Sequence, residues 1–201
     1  MGDVTVCIPT IPSRAAFLTE ALASVQAQTI LPQAVSVVYD LNHSGAARTR
    51  NLALMASHTT YTAFLDDDDL LYPEHLQLLV ETAERTGADL VYPWFDGGEH
   101  WLTMPVDEVR VSPFGHPFGN EQRRWLLQEQ NFIPITFLVR TEMAQAVGGF
   151  PQPNTPAWPY EDAEDYGFLR NLLNEGAVFV HLPVKTWMWR MHDGRTRGQE
   201  K

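Results

Sequence analysis

Through the first half of the chain the apolar positions follow two alternating patterns. Some form short continuous runs rich in β-branched residues, and others return every third or fourth place. The run "DVTVCIPT" (3–10) predicts a buried strand. "SRAAFLTEALASVQAQ" (13–28) predicts a helix, with Ser13 as its N-cap and Phe17, Leu18, Leu22 and Val25 along one face. The alternation continues with strand "AVSVVYD" (34–40), helix "GAARTRNLALMASH" (45–58), strand "YTAFL" (61–65), helix "PEHLQLLVETAERTG" (73–87) and strand "ADLVYPW" (88–94). Pro73 suits a first helical turn, where its missing N–H costs nothing. Strands separated by helices of this length join through right-handed crossovers, which predicts an α/β chain with a doubly wound, largely parallel sheet. In such sheets ligands bind beyond the carboxyl ends of the strands. "PTIPSR", Asp40 and the run "DDDD" (66–69) each follow a predicted strand, so these three stretches are expected at one crevice.

From about residue 93 to 120 the periodicity breaks into proline, glycine and aromatic residues, which reads as an irregular excursion over the sheet. Regular structure then resumes with helix "EQRRWLLQEQ" (121–130), strand "FIPITFLVR" (132–140) and helix "TEMAQAV" (141–147), stopped by Gly148 and Gly149. A helix "EDYGFLRNLLNEG" (164–176) and two strands, "AVFVHLP" (177–183) and "KTWMWRMH" (185–192), complete the pattern before a polar tail. No internal repeat or low-complexity segment interrupts it.

Composition narrows the classes of function. The 201 residues carry a formal net charge of -11, from 25 acidic against 14 basic residues, and 44% are hydrophobic. That is enough for one domain with a real core, and its global field repels phosphate backbones and anionic membranes. The lone Cys7 lies in an apolar run, so it reads as a core residue of a protein in the reducing cytoplasm. No stretch reaches the roughly 18 continuous apolar residues of a membrane span, and the first residues lack the pattern of a secretion signal.

The four consecutive aspartates, Asp66 to Asp69, pose the chemical question. Carboxylates this close repel one another unless a cation or a set of donors sits among them. A calcium loop of the EF-hand kind is excluded, because the sixth position from Asp66 is Leu71 where that turn requires glycine. Magnesium or manganese, bound through one or two carboxylates with sites left for phosphate oxygens, fits a strand-end position in a ligand crevice.

Six segments in order, "VTVCIPTIPSR", "GAARTRN", "AFLDDDDLLYPEHL", "NFIPITFLVRTEMAQAVGGF", "EDYGFLRNLLNEG" and "VFVHLPVKTWMWRMH", resemble the family 2 glycosyltransferases of the GT-A fold. The resemblance covers most of the chain. It implies a Rossmann-like, mostly parallel sheet flanked by helices in a single domain, 1–201, with a nucleotide-sugar half (about 1–93) and an acceptor and catalytic-base half (about 94–201). It also implies metal-dependent, inverting transfer of a sugar from a nucleotide-diphosphate donor to an acceptor hydroxyl, with Mn2+ or Mg2+ as cofactor.

Residue by residue, the resemblance implies that Pro9, Thr10 and Arg14 line the nucleoside pocket, that Asp40 contacts the base and that Arg50 faces the nucleotide. Asp66 and Asp68 resemble the family's Asp-x-Asp motif, the first near the ribose or sugar and the second on the metal; the tetrad leaves the register open for Asp67 and Asp69. Inversion requires a general base to take the acceptor hydroxyl proton. By its distance from Gly176, the pair Glu164 and Asp165 matches the family's Glu-Asp helix, which makes Asp165 the expected base and Asp162 the alternative. Gly167 departs from the family pattern, which has an acidic residue there. His192 resembles a histidine that completes the metal shell. Arg190, Arg195 and Arg197 are candidates to neutralise the departing diphosphate, and Trp94, Trp101, Trp125 and Trp158 read mainly as packing residues.

Two other classes stand beside this one. A catalytically silent nucleotide-sugar binding module would keep Asp66 and Asp68 without turnover, and the intact Glu164–Asp165 pair counts against it. A sugar nucleotidyltransferase would carry a glycine-rich loop after the first strand, and "PTIPSR" has no glycine. The acceptor is left open among a glycan, a small molecule, a protein and modified DNA, with the acidic balance counting against the last.

Overall fold

A computed structural model of the chain describes residues 2–97, 117–156, 158–159 and 163–190. The elements run β1 (Gly2–Thr10), α1 (Ala15–Gln26), β2 (Pro32–Tyr39), α2 (Ala46–Met55), β3 (Tyr61–Phe64), β4 (Leu70–Leu71) and α3 (His75–Thr86). They continue with β5 (Leu90–Gly97), α4 (Asn120–Gln128), β6 (Leu138–Arg140), α5 (Thr141–Ala146), α6 (Glu164–Asn174) and β7 (Phe179–Trp189). The strands form one sheet in the order β2-β1-β3-β6-β5-β7-β4. Pairing is parallel between β1 and β2, β1 and β3, and β5 and β7, while β6 runs antiparallel to both β3 and β5, and β4 antiparallel to β7. Five strands therefore point one way, and the mostly parallel α/β sheet expected from the alternation is what forms.

The two-residue period of the strands divides the core between the faces of the sheet. Val4, Val6 and Ile8 of β1 pack with Leu18, Ala21 and Val25 of α1 and with Leu76, Leu79 and Ala83 of α3. Cys7, between them in sequence, points the other way, into a cluster with Ala53 and Leu54 of α2, Leu126 of α4 and Phe168, Leu169 and Leu172 of α6. Burial pushes its thiol up to about 12, which makes it an inert core side chain. The second cluster is rich in phenylalanine: Phe150 stacks on Phe168 with ring centroids 4.3 Å apart, and Phe64 meets Phe150 edge-on at 5.0 Å. Each of these rings buries apolar surface worth about 2–3 kcal/mol.

Four local expectations change. Ser13 lies inside a 3-10 turn, Pro12–Arg14, and α1 starts after it with no side-chain cap. Pro73 sits in the turn ahead of α3, whose N-cap is Glu74. The strand expected over 132–140 is regular only at Leu138–Arg140, because Pro134 offers no N–H and the Ile133 N–H is taken by the Asn131 side chain. The two strands expected at 177–183 and 185–192 are one, β7. Its pairing with β5 steps from Pro93↔Leu182 to Trp94↔Lys185, so Pro183 and Val184 are absorbed in an irregularity that keeps the ladder going. Residues 93–97 extend β5; 98–116, with Trp101, lie outside the described residues.

One side chain ties α2 to the turn after α5. Asn51 donates to the Phe150 carbonyl and accepts from the Phe150 N–H, both at 2.8 Å, clamping the turn after α5 onto α2. The neighbouring Gly149 has φ +70°, and a Cβ there would lie 2.2 Å from the Asn51 amide oxygen.

Candidate active site

The aspartate run turns sharply just after β3, with the Asp69 N–H bonded to the Asp66 carbonyl at 3.1 Å. That turn sends four identical side chains in different directions. Asp67 points under β1 and is buried, accepting from Thr10 Oγ1 at 2.7 Å and from Arg14 Nη1 at 2.6 Å. Arg14 Nη2 reaches Asp68 at 3.0 Å. Asp69, also buried, accepts the Arg190 N–H at 2.9 Å, which ties the turn to the end of β7. Asp66 faces Arg50 Nη2 at 2.7 Å. One oxygen each from Asp66, Asp68 and Asp69 lies within 4.8 Å of the others, while Asp67 is turned away.

Arg50, on the inner side of α2, divides its guanidinium between two elements. Its other terminal nitrogen pairs with Glu164 Oε1 at 2.5 Å, in the first turn of α6. Burial alone would push the guanidinium toward neutrality, yet Asp66 and Glu164 prevail and hold it cationic. Its Nε is buried without a partner among the described residues. The neighbouring Asp165 is also in the first turn of α6, where the helix dipole favours negative charge. Its carboxyl is nonetheless pushed up to about 6: burial raises it first, and Glu164 adds repulsion. Arg50 and the Tyr166 N–H, 2.7 Å from Asp165 Oδ1, work against that rise. Asn131 Nδ2 donates to Asp165 Oδ2 at 3.0 Å.

These groups border a cavity of about 310 Å3. Asp66, Asp69, Glu164 and Asp165 with Arg50 form its polar side, and Phe132, Ile133, Ile135, Trp187 and Trp189 its apolar side. Across the cavity and the adjoining aspartate turn, two arginines, Arg14 and Arg50, stand against six carboxylates: Asp66 to Asp69, Glu164 and Asp165. The negative excess and the all-oxygen donor set of Asp66, Asp68 and Asp69 suit a hard divalent cation such as magnesium or manganese. Such a metal fits the residues present.

The expected site residues thus gather in two adjoining groups, Thr10, Arg14, Asp67 and Asp68 in one, and Arg50, Asp66, Glu164 and Asp165 in the other. Pro9 lies in β1 beside Val38 of β2, one residue before Thr10. Asp40 follows β2, and its N–H bonds to the Thr10 carbonyl at 2.8 Å. Its carboxylate turns toward its own loop, accepting from Ser44 N and Oγ and from Gly45 N at 2.7–2.8 Å. Desolvation would raise this carboxyl, but those donors hold it below the usual range. The alternative base Asp162, with Glu161, and also His192, Arg195 and Arg197 lie outside the described residues. Arg190 pairs with Glu20 at 2.7 Å and lies over the Phe17 ring. Trp94 belongs to β5, Trp125 is half-buried against the core, and Trp158 is buried.

Sequence reasoning passed over Asn131, Trp187 and Trp189. The only local signal for Asn131 is a polar residue opening an apolar run, and the two tryptophans fall within a stretch whose pattern is simply that of a strand. Among the described residues no helix is long and apolar enough to cross a membrane.

Comparison with known proteins agrees with this architecture. The family model described as "Glycosyl transferase family 2" matches residues 32–148. An uncharacterized glycosyltransferase of Haemophilus influenzae is 25% identical over 147 residues, covering 70% of this chain and 45% of its own. The uncharacterized glycosyltransferase YibD of Escherichia coli is 28% identical over 93 residues, covering 41% of this chain and 27% of its own. The chain therefore spans less than half the length of either relative. Among solved structures, residues 1–349 of TarS from S. aureus superpose with a TM-score of 0.72 at 18% identity, over 94% of this chain and 60% of that one. The same TarS fragment in complex with UDP-GlcNAc gives 0.73 over 97% and 60%. The fold is that of the GT-A glycosyltransferases, and the chain belongs to glycosyl transferase family 2.

Proposed function

We propose that this chain transfers a sugar from a nucleotide-diphosphate donor to an acceptor hydroxyl, with inversion and with a divalent cation, Mn2+ or Mg2+. One observation carries the reading. Two of a metal-spaced set of carboxylates (Asp66, Asp68 and Asp69), namely Asp66 and Asp69, border the same cavity as a buried carboxyl, Asp165, whose pKa is raised toward the operating range of a general base.

The roles follow from chemistry. Asp68, with Asp66 and Asp69 beside it, would hold the cation, and His192 is kept as a further proposed ligand. A bound divalent cation would supply positive charge to the diphosphate as it leaves. Thr10 and Arg14, at the end of β1, fix the buried Asp67 and so hold the aspartate turn against the strand where a nucleoside would lie. Arg50 anchors Asp66 and Glu164. Asp165, ionised above about pH 6, would accept the proton of the acceptor hydroxyl while that oxygen attacks the anomeric carbon. The C1–O bond to the nucleotide breaks on the opposite face as the new one forms, so no covalent enzyme intermediate arises. The apolar side, with Trp187 and Trp189, suits the carbon face of a sugar ring. TarS has been solved with UDP-GlcNAc, which supports uridine nucleotide sugars as the first donors to try.

The test is release of nucleoside diphosphate from a panel of nucleotide sugars with Mn2+, comparing the wild type with Asp165→Ala. The reading expects turnover that Asp165→Ala loses while nucleotide binding survives. Tight nucleotide-sugar binding with no turnover in any condition would favour the silent binding module instead.

A further inference from the structure

The helix that carries Asp165 does not by itself decide where the carboxylate points. A first-turn aspartate has a free χ2, and among the described residues one of its oxygens is hydrogen-bonded only by the N–H of the next residue, Tyr166. The other oxygen is held from a separate part of the chain. Asn131, on the connector between α4 and β6, sits with Nδ2 3.0 Å from Asp165 Oδ2. Its own orientation is not ambiguous. Asn131 Oδ1 lies 2.9 Å from the Ile133 N–H, a group that can only donate, so the atom facing it must be oxygen and the NH2 must face Asp165.

We infer that Asn131 is the positioning residue of the general base, its amide locking the Asp165 carboxylate so that the remaining lone pairs face the cavity. The inference rests on the reading of Asp165 as base. Asn131 and Asp165 both line the cavity, as do Ile133 and its neighbours, so the amide meets the carboxylate at the cavity wall. Asn131 is suited to this task because an amide supplies a directed donor without adding charge. Among the described residues, the charged groups acting on Asp165 are Glu164 on its own helix, Arg50 from α2 and Asp66 from the turn after β3. Two of those three are negative, and a donor that favours the ionised form offsets them. A lysine here would compete for the cation site, and an aspartate would add a third repulsion.

A consequence is measurable without any substrate. In the metal-free 201-residue chain, the Asp165 side-chain carboxyl carbon can be titrated by 13C NMR in the wild type, Asn131→Leu and Asn131→Asp. Asn131→Leu keeps the approximate shape and removes the donor, so the midpoint should move up by about one unit, a tenfold change in proton affinity. Asn131→Asp should move it up further. Where Asn131→Leu fails to give a folded amide spectrum, Asn131→Ser, too short to reach Asp165, should show the same upward shift. A midpoint unchanged from the wild type in the folded variants overturns the inference. The outcome is separable from the fate of the transferase reading. If Asp165→Ala abolishes sugar transfer while the Asn131 variants leave both the midpoint and turnover unmoved, only the role of Asn131 falls. If Asp165→Ala leaves transfer intact, the base assignment itself falls.

Discussion

Arg50 Nη1 lies 2.5 Å from Glu164 Oε1, an ion pair between α2 and the first turn of α6 whose side chains are only 8% and 17% exposed. The same guanidinium holds Asp66, so removing it strands two carboxylates at once. Replacing Arg50 with methionine should cost about 3 kcal/mol of stability, because unpaired buried charge is far more expensive than the pair is favourable. Arg50→Lys should cost less, since a point charge can serve one partner but not the fork. Urea unfolding of both variants checks this, and an Arg50→Met protein as stable as the wild type would contradict it.

Asp165 predicts a pH signature in stability as well as activity. Its folded pKa, about 6, lies above the ordinary carboxyl value, so the folded state holds the proton more tightly than the unfolded chain does. The cost of ionising it is absent below about pH 4 and complete above about pH 6, on the order of 2–3 kcal/mol. The stability of Asp165→Asn relative to the wild type should therefore rise with pH across that window, measured by denaturation at several pH values. A difference that stays flat with pH would show that Asp165 is not buried as described. Activity has the opposite sign: transfer should fall as pH drops through about 6, where the base becomes protonated.

The directions taken by the four aspartates separate their variants. Asp69→Asn removes a member of the metal-spaced set and should weaken Mn2+ binding about 10-fold or more. Asp67→Asn disturbs the pairing with Thr10 and Arg14 and should lower stability while weakening Mn2+ binding less. Manganese titration followed by electron paramagnetic resonance distinguishes them, and equal losses for the two would argue against the assigned turn.

In an ordinary helix, glycine to alanine stabilises by up to about 1 kcal/mol. Gly167 of α6 should behave oppositely, since a Cβ there would lie 2.5 Å from Pro151 Cγ and 2.9 Å from the Trp158 ring. Gly167→Ala should destabilise by about 1–3 kcal/mol, read by thermal or urea unfolding. A stabilised variant would mean that Pro151 and Trp158 are not packed on the helix. This close approach gives a physical reason for the missing acidic residue at that position.

The alternation of strands and helices was legible because β-branched runs and helical spacing are local signals, and both core faces follow from them. What escaped depended on contacts distant in sequence. β4 has two residues, too few to show a period, and its existence depends on β7 lying alongside. β7 reads as two strands because Pro183 interrupts the pattern, and only pairing with β5 carries the ladder past it. In the site, four identical aspartates hold no information about direction; the turn after β3 supplies it by sending Asp67 inward to Thr10 and Arg14. Asn131 was invisible for the same reason, since its partner lies 34 residues away on another element.

The central claim is that the aspartate turn binds a nucleotide diphosphate through a divalent cation. Calorimetric titration with uridine, guanosine, thymidine, cytidine and adenosine diphosphates, with and without Mn2+, tests it most directly on the wild type and Asp68→Ala. The account predicts that one nucleotide binds only when manganese is present and that Asp68→Ala loses this binding while remaining folded. Binding that ignores the metal, or survives unchanged in Asp68→Ala, would contradict it.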